Sequence, residues 1–187
     1  MAEKYLCVAS SQRTFCLLDE QTVVEKLRRG DIILTHDPLM PIAWPIWWLT
    51  KSSWNHAEVY LGHGLSIGAH FNGIRISTLK ELNSWPGAKL GFLRPKDTTA
   101  EKGDSVADFS ATLEGKGYDF WHIVQYVWRI ILGTLGKAPM ADDPDRYVCF
   151  EFVAYCWEHE GVSVAGKFSD NATGKSFTDN PNLEWIF

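Results

Sequence analysis

The chain has 187 residues, of which 45% are hydrophobic and 13% aromatic, and its 18 Lys and Arg against 23 Asp and Glu give a formal net charge of -5. This length fits one domain, the aromatic content excludes a disordered chain, and the acidic balance argues against a nucleic-acid-binding surface. Residues 1–16 lack the basic start and apolar run of a secretory signal, so we expect a protein that is cytoplasmic when made. The longest apolar stretch, 123–135, is too short for a bilayer span of about 20 residues, so we expect no integral membrane segment.

The first predicted elements are a helix, a strand and an aromatic loop. Residues 18–29 predict a short helix, and residues 32–35 predict a buried strand. The stretch 38–48 contains three Pro and three Trp, which favours a constrained loop packed on the core over a regular element.

The next segment predicts a hairpin with one apolar and one polar face. Residues 56–61 alternate between apolar and polar side chains, as expected for a strand with one buried face, and residues 66–71 alternate in the same way. A turn over 62–64 would place Leu61 opposite Leu65.

The predicted register brings polar side chains together on one face of this hairpin. In this register the sequence numbers of two residues that face each other add up to 126. His56 therefore lies opposite His70, and Glu58 lies opposite Gly68. Directly facing residues have Cβ atoms about 4.5–5.5 Å apart, and a slip of one residue would destroy the cluster.

The middle of the chain predicts a third strand and a helix. Residues 74–77 follow an Asn-Gly turn and predict a short strand. Residues 87–95, with three turn-favouring residues, predict a variable stretch, and residues 105–113 predict a helix.

The last third predicts two helices separated by a long loop. A helix is expected from 118 to about 132, and the loop 133–145, rich in Gly, Pro and Asp, would frame a cleft. The spacing after residue 149 predicts a second helix that ends near Gly161.

Four cysteines without a CxxC pair favour neither a disulfide framework nor a structural zinc site. Cys149 falls in the first turn of a predicted helix, where the positive end of the helix dipole favours the nucleophilic thiolate. Cys156 lies deep in the same helix, and we interpret it as a packing residue. Cys7 and Cys16 lie away from any His and are interpreted as structural.

A thiol nucleophile needs a general base, and the base needs an orienting group on its other ring nitrogen. His56 is the leading candidate for the base, because the predicted hairpin clusters it with Glu58 and His70. Those two residues stand as equal candidates for the orienting role.

Five motifs in a fixed order resemble those of a known family. They are RGDIIL at 29–34, LTKSSWNHAEVYLG at 49–62, GIRI at 73–76, GYDF at 117–120 and YVCFEFV at 147–153. They resemble the GDIIL, (T)xSxxxHVxIYLG, GVRI, GxxYDF and YYCSELV segments of circularly permuted papain-like hydrolases. This is the YiiX-like branch of the NlpC superfamily, related to lecithin:retinol acyltransferases.

The resemblance implies an α+β fold, in which a small antiparallel sheet or open barrel packs on helices and the cysteine helix lies across it. It also implies that Cys149 is the nucleophile and His56 the base. One domain over 1–187 would consist of a strand and helix extension at 1–28, a core at 29–161 and a mostly irregular tail at 162–187.

The chain departs from the family pattern at the acidic position. Glu58 stands where the family commonly has glycine, and Gly68 stands where many members have glutamate. Because the two positions face each other in the predicted register, the carboxylate would have crossed the hairpin and kept its place beside His56. Alternatively, His70 fills the third polar position, as a second histidine does in the acyltransferase branch.

Two aromatic residues bear on the chemistry. Phe150 replaces the serine that usually follows the cysteine, which would set a bulky apolar group beside the nucleophile. Tyr118 would place a phenol near the oxyanion, although packing at a helix start is the simpler interpretation.

The leading hypothesis is a cysteine peptidase or amidase that cleaves an amide bond, and the resemblance points to peptidoglycan stem peptides. A second hypothesis keeps the same Cys-His pair in a lipid acyltransferase or thioesterase, with the aromatic residues 41–48 lining an acyl groove. A third is a catalytically silent binding module, for which Phe150 and Gly68 are the arguments.

No cofactor is expected. Metal binding by His56, His63 and His70 is not favoured, because His63 falls in the predicted turn and closed sites generally need four ligands around one point. The expected partners are a peptide, peptidoglycan or an acyl-containing small molecule, and the oligomeric state is left open.

Overall fold

The computed structural model describes residues 4–9, 14–36, 52–70, 72–84, 86–118, 146–147, 149–165 and 172–187. Three predicted segments lie outside these residues: the aromatic loop over 38–48, the helix expected from 118 to about 132 except for its first residue, and the loop over 133–145. The aromatic residues 41–48 of the acyl-groove hypothesis are among them.

The described residues form an α+β fold. The strands are β1 (Lys4–Ala9), β2 (Thr14–Asp19), β3 (Ile32–His36), β4 (His56–Gly62), β5 (Leu65–His70), β6 (Gly73–Thr78), β7 (Lys89–Pro95), β8 (Gly117–Tyr118), β9 (Arg146–Tyr147) and β10 (Leu183–Trp185). The helices are α1 (Glu20–Lys26), α2 (Leu79–Leu82), α3 (Ala100–Ala111), α4 (Cys149–His159) and α5 (Gly174–Thr178).

Eight strands form one sheet in the order β2-β1-β7-β3-β4-β5-β6, with β10 also pairing with β7. All neighbours are antiparallel except β1 and β7, which are parallel. The sheet is therefore larger than the small sheet expected from the sequence. Strands β8 and β9 form a separate two-residue parallel pair.

Both faces of the sheet are covered, as alternate residues of β3 show. Ile32 and Leu34 pack with residues of α3 and α4, whereas Ile33 packs with residues of α1 and α2. The prediction that β4 has a single buried face was wrong. Glu58 and Tyr60, expected on its polar face, are 0% and 1% exposed. Tyr60 packs with residues of α1 and α2, whereas the Glu58 carboxylate contacts the side chains of His56, His70 and Ser66.

The register of the hairpin agrees with the prediction except at the turn. Val59 pairs with Ile67, and these numbers sum to 126 as expected. A bulge between Tyr60 and Gly62 then makes Gly62, rather than the predicted Leu61, the partner of Leu65. The remaining turn is two residues long, and both have positive φ.

Strand β7 is the main element that the sequence analysis missed, because residues 87–95 were predicted to be variable. It lies at the centre of the sheet between β1 and β3. Gly91 was misleading because glycine favours turns. Here it is required by packing, since an added Cβ would lie 2.7 Å from the Trp54 ring and 2.9 Å from the Trp185 ring.

Several other boundaries differ from the predictions. Helix α3 begins at Ala100, because the Thr99 side chain caps it by accepting from the Lys102 amide, and not at the predicted residue 105. Helix α1 is shorter than 18–29, because β2 continues to Asp19, whose carboxylate caps the helix. The tail expected to be irregular contains α5 and β10.

The turn before β3 fixes the helices against the sheet. Arg94 donates two hydrogen bonds of 2.7 Å to the buried carboxylate of Asp31. The Trp157 indole donates to the Gly30 carbonyl at 3.1 Å. A Cβ on Gly30 would lie 2.6 Å from the Gly103 carbonyl oxygen, so this turn and α3 approach each other at backbone distance.

Candidate active site

Cys149 is the first residue of α4 and lies beside the start of β4. It is 5% exposed, and its Sγ is 3.9 Å from the Asn55 carbonyl oxygen. The neighbouring Phe150 is also buried in the core, with its ring centroid 5.8 Å from that of Phe177. Phe150 therefore packs against α5, in the same core cluster as Cys149.

His56 lies between Cys149 and Glu58. Its Nε2 is 2.9 Å from Glu58 Oε1, and the Cys149 side chain is close enough to the ring to influence its pKa. Because Nε2 faces the carboxylate, Nδ1 is the nitrogen that remains for the thiol. Burial lowers the pKa of His56, but the hydrogen bonds with Cys149 and Glu58 outweigh it and raise the pKa to about 10.

Glu58 is fully buried, and its two oxygens accept three side-chain hydrogen bonds. Oε1 accepts from Nε2 of His56 and from Nε2 of His70, and Oε2 accepts from the Ser66 hydroxyl at 2.5 Å. Burial raises the pKa of the carboxyl group, but the two histidines lower it to about 2. The site therefore holds an ionised carboxylate inside the protein.

His70 binds the same oxygen as His56. Its Nε2 lies 2.7 Å from Glu58 Oε1 and 3.1 Å from the Ser77 hydroxyl, and its ring centroid is 4.7 Å from that of His56. Burial lowers the pKa of His70, and Glu58 opposes that effect. Of the two candidates for the orienting role, the structure places Glu58 on the Nε2 of His56, and His70 contacts the same Glu58 oxygen with its ring beside that of His56.

The sequence analysis missed two residues that complete the cluster, Ser66 and Ser77. They are register partners on β5 and β6, both are buried, and each bonds one member of the cluster. Ser66 was placed on the polar face of β5, which was the available signal. Serines are common on strand faces, however, and nothing marked these two as members of a site.

The remaining candidates lie elsewhere or outside the described part. The backbone of Tyr118 lies in β8 and not at a helix start, and its side chain is outside the described residues, as are those of Cys7 and Cys16. Cys156 is fully buried, and burial raises its pKa, in agreement with a packing role. Cys7 and Cys16 face each other as register partners of β1 and β2.

Three side chains of the cluster have the geometry of a metal-binding group. Among the described residues, the ligand atoms of His56, Glu58 and His70 all lie within 4.8 Å of one another. Two imidazoles and one carboxylate are a donor set that suits Zn²⁺ in catalytic sites, which keep a fourth position open. The sequence analysis considered His63 with the two histidines, but His63 is exposed in the turn and is not part of this group.

Searches with family models and with curated protein sequences gave no match. The fold is similar to the crystal structure of metalloprotein yiiX from Escherichia coli O157:H7, a DUF1105 protein. The two share 17% sequence identity with a TM-score of 0.65, over 87% of this chain and 97% of the other. The chain therefore has a YiiX-like α+β fold.

Within the described residues, no helix is long and apolar enough to cross a membrane.

Proposed function

We propose that the protein is a cysteine hydrolase that attacks an acyl carbonyl, with an amide bond as the substrate. The observation that supports this most directly is that His56 lies between Glu58, to which its Nε2 is hydrogen-bonded at 2.9 Å, and the Cys149 side chain, which raises the pKa of its ring. A nucleophile, a base and a group that orients the base are the three components of nucleophilic acyl transfer.

Each side chain has a defined role in the proposed reaction. His56 Nδ1 takes the thiol proton before the attack, which gives a thiolate–imidazolium pair in line with the raised pKa of His56. Cys149 Sγ then forms a bond to the carbonyl carbon, and the resulting oxyanion accepts a hydrogen bond from the Cys149 backbone N–H. His56 then returns the proton to the leaving amine as the C–N bond breaks. Water hydrolyses the thioester with His56 again as base. Glu58 holds the ring and stabilises its cationic form.

The substrate class rests on the resemblance of the motifs to permuted papain-like hydrolases. Peptides and peptidoglycan stem peptides are therefore the first candidates, and permuted papain-like is the architecture we propose for the YiiX-like fold. A lipid acyltransferase or thioesterase would use the same three side chains, since the attack on the carbonyl is the same. Release of fatty acid from a thioester probe without cleavage of peptide amides would favour that alternative.

The test is the pH dependence of Cys149 alkylation by iodoacetamide, followed by mass spectrometry. We expect Cys149 to react well below the free-thiol pKa of about 8.5, and His56→Ala to abolish this reactivity. The buried Cys156 of the same helix is the internal reference and should stay unreactive in the folded protein. A Cys149 that reacts no faster than a free thiol would overturn the hydrolase proposal and favour a silent binding module.

A second candidate function is metal binding at His56, Glu58 and His70. It is favoured by the arrangement of the three ligand atoms and by the similarity of the fold to a protein described as a metalloprotein. Stoichiometric Zn²⁺ in the purified protein, lost in a variant of His70 but kept in a variant of Cys149, would support it.

A further inference from the structure

We infer that Zn²⁺ binding by His56, Glu58 and His70 excludes the acid-base function of His56, which makes Zn²⁺ a reversible inhibitor of this active site. The inference rests on the proposed function, because it assigns a regulator to the same residues. What it adds is that the two candidate functions use the two nitrogens of one ring and exclude each other.

The nitrogen that would bind the metal ion is Nε2 of His56. The Nε2 atoms of the two histidines lie 2.9 and 2.7 Å from Glu58 Oε1. His56, Glu58 and His70 each offer a ligand atom within 4.8 Å of the others, and these short contacts make the two Nε2 atoms and Oε1 the atoms closest to a shared ion position. A metal ion would therefore replace the two N–H···O hydrogen bonds by metal–nitrogen and metal–oxygen bonds, with ligand distances of about 2.0–2.2 Å.

Coordination at Nε2 decides where the ring keeps its proton. An imidazole bound to a metal through one nitrogen is neutral when the other nitrogen carries the proton, so Nδ1 of His56 becomes a fixed donor. The proposed reaction needs Nδ1 to accept the thiol proton and release it again to the amine. A ring that is held as Nδ1–H by a metal no longer accepts that proton, and the acid-base cycle stops.

The surroundings of the cluster fit an outer shell around a metal. The Ser66 hydroxyl holds the second oxygen of Glu58, which leaves Oε1 directed at the two histidines. Thr35, the register partner of His56, is 4% exposed, and its hydroxyl lacks a hydrogen-bond partner among the described residues. A buried hydroxyl beside the site without a partner is unusual and is suited to contact a water on the open metal position.

Calorimetric titration with ZnCl₂ tests the ligand set. We expect one Zn²⁺ per chain in the native protein and in Cys149→Ser, because the thiol is not a ligand in this arrangement. His70→Gln keeps a donor to Glu58 but loses a ligand. It should bind more than about 100-fold more weakly, because loss of an outer-shell partner alone commonly costs 10–100-fold. The exposed His63 provides the matched control, and His63→Asn should bind as the native protein does.

Nitrogen NMR of the histidine rings tests the exclusion without relying on turnover. At neutral pH we expect both ring nitrogens of His56 to carry a proton before Zn²⁺ is added, and only Nδ1 to carry one after its addition. Hydrolysis of 4-nitrophenyl acetate should stop in parallel and return when a chelator is added.

The outcomes separate the inference from the proposed function. Loss of Zn²⁺ binding in Cys149→Ser, or unchanged binding in His70→Gln, would overturn the ligand set while the hydrolase remains. Hydrolysis that continues with Zn²⁺ on Nε2 would overturn the exclusion alone. A Cys149 that is inert without metal would overturn the hydrolase and the exclusion together, and the binding data would then stand for a metal site only.

Discussion

The Cγ of Glu58 occupies the space that a side chain on Gly68 would need. A Cβ added to Gly68 would lie 2.5 Å from Glu58 Cγ and 3.0 Å from its carboxyl carbon. The two residues thus form a matched pair across β4 and β5, in which one strand supplies the carboxylate and the other supplies the room for it. This accounts for the simultaneous presence of glutamate at 58 and glycine at 68.

We expect Gly68→Ala to destabilise the protein by about 1–3 kcal/mol, the usual range for overpacking. The added methyl group would also lie 3.2 Å from the Ala57 carbonyl oxygen, and backbone on that side limits any relief. Displacement of Glu58 should lower the alkylation rate of Cys149 as well. Urea unfolding measures the first effect, and unchanged stability would show that the pair is not tightly packed.

The exchange Glu58→Gly with Gly68→Glu tests the pair directly. Each single change should be harmful, the first by removing the carboxylate and the second by a clash. Together they restore one carboxylate and one space, so we expect a favourable coupling of about 0.5–3 kcal/mol in a double-mutant cycle. Strictly additive effects would argue against a shared position.

Cys149→Ala should abolish turnover and leave the fold intact. The thiol is the proposed nucleophile, and the variant loses only one sulfur at the start of α4. Cys156→Ala is the matched control, since it removes a buried sulfur from the same helix. It should keep full activity and lose about 1 kcal/mol of stability. Activity in Cys149→Ala would contradict the mechanism.

The free energy of unfolding should be greatest between pH 4.5 and 6.5. Glu58 has a folded pKa of about 2 against 4.5 when unfolded, so its contribution is present above pH 4.5 and is lost as the pH falls towards 2. His56 is raised from 6.5 to about 10, so its contribution is present below pH 6.5 and is lost as the pH rises through 10. Urea midpoints measured between pH 2 and 4.5 and between pH 6.5 and 10 check both losses of stability. In Glu58→Gln, both losses should be smaller.

Arg94→Met should destabilise the protein by about 3–5 kcal/mol, because it leaves the Asp31 carboxylate buried without its partner. Arg29 serves as the control, since its ion pairs with Asp104 and Asp108 are exposed. Arg29→Met should cost no more than about 1 kcal/mol. Similar losses in the two variants would show that burial of Asp31 does not matter.

Local patterns predicted the hairpin well because its register depends on a short turn and on alternation within a few residues. The pairs 59 with 67 and 60 with 66 follow from those two signals alone. The bulge beside Tyr60 was not visible, because a single extra residue leaves the alternation of the longer segment unchanged. Strand β7 was not predicted for a different reason. Its pairing partners β1 and β3 are distant in sequence, so no local pattern indicated the pairing.

Within the site, too, local features could be predicted and long-range packing could not. Cys149, His56, Glu58 and His70 could be identified because the hairpin and the helix start are local features. The choice between Glu58 and His70 could not be made, because both lie beside His56 in the register. It depends on side-chain conformations and on the space left at Gly68, which only the packed structure provides. Burial of Glu58 was missed because the alternation in β4 predicted an exposed polar face, whereas the side chains of His56, His70 and Ser66 contact its carboxylate.

Strand β7 receives three neighbours that come from different parts of the chain. β3 covers one edge, whereas β1 and β10 share the other, at Leu90–Gly91 and at Leu93–Pro95 respectively. During synthesis β10 leaves the ribosome after every other described strand, so half of that edge stays open until then. A growing chain with an uncovered central strand is a target for mispairing and for chaperones, and we expect sheet closure to be the last step of folding.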